Sequence, residues 1–537
     1  MKVKQQNLTQ AATILLFATV LVKLIGALFK IPLSSDYALG DLGFGYFSAV
    51  YDFFIPVTTL CMSGFPVAIA GMVADKTAKN RPAEADKIFV IAHKVLTISG
   101  AVAVLLVCAF SVPIVKLTDK SGNSLYSLWA IAPSVFFCFV ASVYRGYFEG
   151  YKNMVPTAVS NVIEALGKLI LGLTLAIITI RLTGNPAVAS AAALLGITAG
   201  TLFSLLYLSI KFRRQNRRLF ADYKDAKDIC ESGLFKQFLL LSIPVAIASL
   251  CVNITSFIDS LTLRVQLSHL IADNQDNVRL LLKGTLYGDI AKNTVPTLIY
   301  GIRGKAHTLF NLIPTLTIAL GVGAIPLITE CFVKGDRENL KKNTNMLLKL
   351  SAVISFPAAA GFAAVGGEIM RLLYGKASAE LGGRLLALYG VAALFAGLCV
   401  PMTYLLQATK LEFRALLNIL CGIVVKIILN LILTRVAAVN VYGTVIATSA
   451  CYAVIFLLNT VTLISAFHLV PDIAGCFAKP FFASLLCAAG AFAVCKLLKF
   501  SFSILLAIIF AAFVYVVALI LLKAFKHEEL AELIKKA

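Results

Sequence analysis

Lys23 and Lys30 stand seven residues apart in an otherwise apolar stretch, two helical turns and therefore one helix face. Lys168 and Lys426 recur at matching depth in two later apolar stretches, Arg145 closes another, and Arg303, Lys305 and His307 fall close together. A charge inside a stretch long enough to cross a membrane is expensive, so such groups are expected to face a wet cavity or a partner. Cations drawn from several segments attract an anion. Phosphate or pyrophosphate is the natural choice, because Lys and Arg bind it through charge-assisted hydrogen bonds. Three acids, Asp52, Glu164 and Asp259, lie in similar surroundings. Each can bind sodium or a proton and couple transport to a gradient, or it can pair with one of the cations.

Each group also has a plainer use. Lys30 can snorkel to headgroups, and Arg145 and Lys152 can be anchors on the basic side of a membrane. Lys168 has Glu164 one turn before it, the favourable order for an i,i+4 pair. Lys426 has no acid nearby in sequence, and Asn418, Gly422, Lys426 and Asn430 repeat at four-residue spacing, which predicts a wet helix face.

The elements that position these residues are membrane spans. Of 537 residues, 59% are hydrophobic and 14% charged, and the mean hydropathy is +0.89; a soluble domain has roughly 45–50% apolar and about 25% charged residues. The apolar residues come in blocks long enough to cross about 30 Å of hydrocarbon. Counting them predicts an all-α polytopic fold of about fourteen spans. They run near 9–33, 43–71, 88–115, 125–148, 155–180, 186–210, 237–263, 298–330, 345–370, 383–408, 412–434, 441–466, 475–495 and 501–522. With the N-terminus cytoplasmic, the inside segments hold about 27 Lys and Arg against about 13 outside, so both termini are expected in the cytoplasm. Tyr126 and Trp129 then open the fourth span at headgroup level.

An internal duplication gives the domain plan. Glu149-Gly-Tyr-Lys152 followed by Lys168 matches Gln407-Ala-Thr-Lys410 followed by Lys426 at a constant offset, and Gly64-Phe-Pro66 echoes Ala324-Ile-Pro326. Six spans separate the copies, so they are expected as parallel repeats. The predicted organisation is an N-lobe over 1–211, a basic cytoplasmic linker over 212–236, a C-lobe over 237–468, and a C-terminal helix pair with its tail over 469–537.

Other chemistry finds little footing. The net charge of +21 sits in short loops between apolar blocks, which is a topology signal and not a nucleic-acid surface. The twelve cysteines are scattered singly and read as small packing residues, with no disulfide framework or zinc site implied. Gly40, Gly43 and Gly45 form a glycine-rich turn with no preceding strand and no phosphate-loop lysine, and nothing points to an enzyme or a cofactor. The first apolar block carries Lys23 and is too long for a signal-peptide core, so it reads as a retained span. Pro66, Pro244, Pro314, Pro326, Pro357 and Pro401 interrupt spans, where they let helices bend.

The run Tyr144-Arg-Gly-Tyr-Phe-Glu-Gly-Tyr-Lys-Asn-Met-Val-Pro-Thr-Ala-Val-Ser-Asn-Val-Ile-Glu164 resembles the SpoVB/YtgP-type polysaccharide-biosynthesis proteins. Those belong to the multidrug/oligosaccharidyl-lipid/polysaccharide exporter superfamily, with the MurJ-type lipid II flippases and Wzx-type flippases. Lys23-Leu-Ile-Gly-Ala-Leu-Phe-Lys-Ile-Pro32, Gly64-Phe-Pro-Val-Ala-Ile69 and Gly321-Val-Gly-Ala-Ile-Pro326 support the likeness, which covers essentially the whole chain. The resemblance implies a two-lobe fold, a lipid-linked sugar precursor flipped between leaflets, and a lipid-tail groove formed by the last two helices. It also implies a cationic cavity, to which Lys23, Lys30, Arg303, Lys305 and His307 correspond. One departure stands out: lipid II flippases typically carry an Arg-Asp pair in the first span where this chain has Phe29-Lys30.

The reading that follows is a flippase for an undecaprenyl-pyrophosphate-linked saccharide or peptidoglycan precursor. It would lie in the bacterial cytoplasmic membrane, among membrane lipids, and be driven by Na+, H+ or membrane potential. No nucleic acid is expected as a partner, and a monomer is compatible with the sequence. The alternatives are a cation-coupled multidrug or metabolite antiporter of the same superfamily and a non-transporting scaffold in envelope or spore assembly.

Overall fold

The computed structural model describes residues 8–79, 81–119, 121–215, 238, 258–272, 276–283, 285, 291–467, 472, 474–497 and 503–524. Every regular element among them is helical. Lipid offers no partner to a backbone N–H or C=O, and a helix closes those bonds on itself. Twelve helices among the described residues are long and apolar enough to span a membrane, where the sequence predicts fourteen. They coincide with the predicted spans two to six and eight to fourteen. The predicted first span is occupied by a 26-residue helix, and the predicted seventh lies almost wholly outside the described residues. The chain is a multi-pass membrane protein.

In chain order the helices are α1 (Leu8–Leu33), α2 (Gly40–Thr59), α3 (Phe65–Ala78), α4 (Pro82–Ala109), α5 (Ser111–Thr118), α6 (Leu125–Gly150), α7 (Val155–Gly167), α8 (Leu173–Thr183) and α9 (Pro186–Gln215). After α10 (258–272) come α11 (Asp276–Leu281), α12 (Val295–Phe310), α13 (Leu312–Lys334), α14 (Arg337–Tyr374), α15 (Ala379–Ala408), α16 (Glu412–Leu433), α17 (Asn440–Phe467), α18 (Lys479–Leu497) and α19 (Ser503–Leu521). Among the described residues are three π-helical turns: Leu60–Gly64 joins α2 to α3, Lys168–Gly172 joins α7 to α8, and Ala474–Ala478 leads into α18. Asp336 caps α14. It accepts the Asn339 backbone N–H at 3.0 Å and the Asn339 amide at 2.7 Å, and these bonds, the side-chain one foremost, hold its carboxyl below the usual carboxylate range.

The chain packs as two units, Met1–Val265 with Asn293–Gly301, and Gln266–Lys292 with Ile302–Ala537. The predicted boundary at 212–236 falls mainly outside the described residues. The division passes instead through α10 and α12, because the ends of both helices are bonded into the first unit. Arg264 donates to the Gly45 carbonyl at 3.0 Å, Tyr300 donates to the Asp52 carboxylate, and Thr297 donates to Asp119 at 3.1 Å.

Small residues set the packing inside the first unit. A Cβ on Gly146 or Gly150 of α6 would meet Ile69 or Val73 of α3 at 2.7 or 2.6 Å, the close small-xxx-small approach of membrane helices. On α9, Gly196 and Gly200 take α7 and its π-turn at backbone distance. A Cβ on Gly200 would lie 2.7 Å from the Glu164 carbonyl oxygen, and one on Gly196 would lie 2.2 Å from Gly172. In the second unit the last two helices follow the same rule. Ala483, Cys487 and Ala491 of α18 and Ala507, Ala511 and Ala518 of α19 form a buried core with Val365 of α14, and the Tyr515 hydroxyl donates to the Val353 carbonyl at 3.0 Å.

The duplication is visible in the backbone. Lys152 and Lys410, equivalent in the two repeats, both hold left-handed conformations, at φ 59° and 61°. The hydrogen bonds around them correspond as well: Asn153 N–H to Phe148 O at 3.0 Å and Leu411 N–H to Leu406 O at 2.9 Å. Each closes a helix end with the same bond pattern.

Gly200→Leu should lower the thermal unfolding midpoint of the detergent-purified chain, with a cost of about 1–3 kcal/mol from overpacking. Gly26→Ala, where a Cβ meets nothing within 4 Å, should not. Equal midpoints for the two variants would refute the close crossing of α7 and α9.

Candidate functional site

In the first unit, the fifth span breaks its α-helical pattern at Lys168. A π-turn inserts one extra residue and re-aims the side chains around it, a device frequent at functional sites. One turn earlier, Glu164 lies buried. Its carboxylate is 3.1 Å from Arg145 Nη2 and 2.8 Å from Lys168 Nζ. Arg145 is buried too, at 1% exposure, and also donates to Ser160 at 3.2 Å and Ser204 at 3.0 Å. The guanidinium therefore ties α6, α7 and α9 together. One carboxylate between two cations leaves a net positive charge, and of the two cations only the Lys168 side chain stays partly open, at 20%.

Lys23 and Lys30 on α1 belong to the same neighbourhood. The Lys30 ammonium lies 4.7 Å from the centre of the Tyr51 ring, a cation–π contact that keeps it against α2. Lys23 is exposed, and its electrostatic neighbours are Tyr51, Lys30 and Lys168. Tyr51 stacks on Phe47 with ring centres 5.1 Å apart. Next to it, Asp52 accepts the Tyr300 hydroxyl. Three lysines and an aromatic ring thus converge on one face of the first unit, backed by a buried acid that serves as a mount for one of them. Such a face suits a phosphate, which needs several donors that rearrange around it. Asp259 is also in this unit, buried on α10.

The remaining predicted residues lie in the second unit and are more enclosed. Arg303 is buried and donates through Nε to Thr444 of α17 at 3.0 Å. Lys305 is fully buried, with its ammonium 5.3 Å from the Tyr374 ring centre. His307 is half-buried, 3.2 Å from the Asn311 amide and packed against Phe310 and Tyr389. Lys426 is buried on α16. The stripe to which it belongs is not a wet face. Gly422 packs against Ile455, and Asn418 donates to Asn459 at 2.9 Å and Thr462 at 3.1 Å, so the stripe is the polar seam between α16 and α17. Buried polar groups take hydrogen-bond partners where they find them, and here a neighbouring helix supplies them in place of water.

The sequence reading passed over Tyr51 and Arg264. Arg264 is buried, with its guanidinium 4.1 Å from the Tyr300 ring centre. Its only signal was a cation just beyond a predicted span. No group of His, Cys, Asp and Glu able to hold a metal ion occurs among the described residues.

Comparison with known proteins follows the same lines. Residues 8–270 match the family model described as polysaccharide biosynthesis protein, and residues 304–432 match the MatE family model. Stage V sporulation protein B of Bacillus subtilis (strain 168) is 26% identical over 469 residues, spanning 86% of this chain and 84% of that protein. Lipid II flippase MurJ of the same organism is 24% identical over 465 residues, spanning 83% and 80%. Among solved structures, lipid II flippase MurJ in an inward closed conformation shares the fold, with a TM-score of 0.70 at 15% identity over 94% of this chain and 97% of that one.

Glu164→Gln leaves the buried Arg145 and the partly open Lys168 without their carboxylate. Removing one partner of a buried pair costs about 3–5 kcal/mol, and the unfolding midpoint should fall accordingly. Ser204→Ala, which removes one of several Arg145 partners, should cost less, about 1.5–3 kcal/mol. A Glu164→Gln chain as stable as the original would mean that the triad does not hold these helices together.

Proposed function

We propose, from the premise that the chain belongs to the multidrug/oligosaccharidyl-lipid/polysaccharide exporter superfamily and is a membrane transporter and not an enzyme, that its cargo is a lipid-linked saccharide carrying a phosphate or pyrophosphate. The observation that supports this most directly is the Lys23, Lys30 and Lys168 cluster. A cationic drug would be repelled there, whereas a polyprenyl pyrophosphate finds three ammonium donors. The saccharide, uncharged and rich in hydroxyls, makes the weaker contacts. Such a lipid is loaded in the cytoplasmic leaflet of a bacterial membrane and delivered to the outer one by alternating access, with both chain termini cytoplasmic.

The Glu164 carboxylate holds Lys168 in place until the diphosphate arrives. The ligand then competes for the same ammonium, so binding weakens a contact within the fifth span and links cargo to conformation. Arg145 stays with Glu164 throughout. Arg303, Lys305 and Lys426 place basic side chains inside the second unit, which suits the same sign of cargo. Asp52 and Asp259 are the acids left for coupling to Na+ or H+. The membrane potential is a further drive, since moving one charge is worth about 2.3 kcal/mol per 100 mV.

Each charge-assisted hydrogen bond is worth about 1.5–3 kcal/mol, so single Lys→Gln changes at positions 23, 30 or 168 should weaken cargo binding about ten- to a hundredfold. The triple variant, expressed at the normal level, should fail to rescue a strain depleted of its flippase and should let the lipid-linked precursor build up in the inner leaflet. Full rescue by the triple variant would reject the site. Efflux of cationic dyes by the unaltered chain would favour drug antiport instead.

A further inference from the structure

Away from the lysine cluster, a cavity of about 540 Å³ lies between α4, α6 and α9 of the first unit. That volume is of the size that holds small ligands. Its floor is aromatic and firmly packed. Phe89 and Phe212 stack at 4.3 Å, and Tyr144 stands edge-on to both at 5.4 Å. Its rim is basic, with His93 and Lys94 from α4 and Arg213 from α9. Lys94 and Arg213 are exposed, and neither pairs with a carboxylate among the described residues. The His93 ring nitrogens lie 3.5 Å from the Tyr144 hydroxyl and the Thr97 hydroxyl, the weak limit of hydrogen-bond geometry, so a better partner can displace either contact.

The position along the chain fixes the depth of this cavity. Lys94 is the last charge of α4 before the uncharged run from Val95 to Phe110, and Arg213 follows the uncharged run from Ala187 to Ile210 by three residues. Lys and Arg flanking a span lie at the headgroup layer. The cavity therefore sits where lipid phosphates are, with exposed Ile98, one turn beyond Lys94, continuing toward the acyl region and exposed Val90 one turn before it on the aqueous side.

We infer that this cavity is a binding site for the phosphate headgroup of an anionic membrane phospholipid. Arg213 and Lys94 hold the phosphate, His93 contributes a ring N–H, Phe89 and Phe212 floor the headgroup, and the first acyl carbons lie over Ile98. Basic side chains next to a membrane surface gain about 1 kcal/mol each from anionic lipid, and a pocket that also takes the apolar end adds selectivity. The site is separate from the cargo lysines and makes the stability of the first unit responsive to the surrounding lipid.

The test is a thermal-unfolding titration of the full chain in detergent with short-chain phosphatidylglycerol, phosphatidylcholine and inorganic phosphate. Phosphatidylglycerol should raise the midpoint saturably and at least tenfold more potently than phosphatidylcholine, and inorganic phosphate should leave it unchanged. The double variant Lys94→Gln/Arg213→Gln should weaken the phosphatidylglycerol response at least tenfold. Ile98→Trp, which fills the cavity while keeping all three basic rim residues, should abolish the response while keeping its own midpoint. The triple Lys→Gln variant at positions 23, 30 and 168 should respond as the original does. An unchanged response in Lys94→Gln/Arg213→Gln would overturn the proposal, as would an equal shift with phosphatidylcholine or inorganic phosphate. Loss of the response in the triple variant would overturn it too, by placing the lipid at the cargo lysines.

Discussion

The first unit is organised around the Glu164 carboxylate. A buried carboxylate in hydrocarbon is tolerated only when its charge is met at hydrogen-bond distance, and here two cations from two different spans meet it. Arg145 brings α6, and through Ser204 it brings α9. Lys168 brings the partly open end of the triad to a position beside α1. The glycines of α9 are the steric counterpart of this arrangement. Without Gly196 and Gly200, α7 and α9 could not approach closely enough for the Arg145 guanidinium to reach both helices. Packing and charge therefore impose the same geometry, the mutual consistency expected of a sequence that specifies one structure.

How much of this was legible in the sequence depends on the range of the interaction. The Glu164–Lys168 contact is local, one helical turn, and spacing alone suggested it. Arg145 lies nineteen residues before Glu164, beyond a tight turn, so the sequence offered a cavity cation or a membrane-surface anchor but did not point to its partner. Lys30 left two options open, a cavity or the headgroups, and spacing could not point to the Tyr51 ring that the structure places against it. The Asn418 to Asn430 stripe shows the general difficulty. Four-residue periodicity says that polar groups share a face, not what the face meets, and the deciding residues Asn459 and Thr462 lie on another helix. Helix existence was readable because span length and hydropathy are local properties. The π-turns left no compositional trace.

The duplicated turns teach a related lesson. The match between Glu149–Lys152 and Gln407–Lys410 is short and degenerate as sequence, but both lysines share a left-handed backbone and the same helix-closing bond. Lysine in that conformation is less comfortable than glycine. A cation directly after a helix end also offsets the partial negative charge of the last carbonyls, which compensates for part of the strain. The repeat is thus conserved in backbone conformation and charge together, while the buried acid that follows in one copy, Glu164, is replaced by Gly422 in the other. The two halves share a scaffold and differ in what they mount on it.

The π-turn at Lys168–Gly172 has a geometric consequence for the whole fifth span. One surplus residue advances the angular phase of the helix by about 100°, so the faces presented by α7 and α8 are set independently of each other across the break. A π-bulge is also one of the few places where a helix kinks, which makes this a natural point for the rod to bend. The ammonium that would meet an anion sits on that joint, so a pull on the charge is also a torque on the rod.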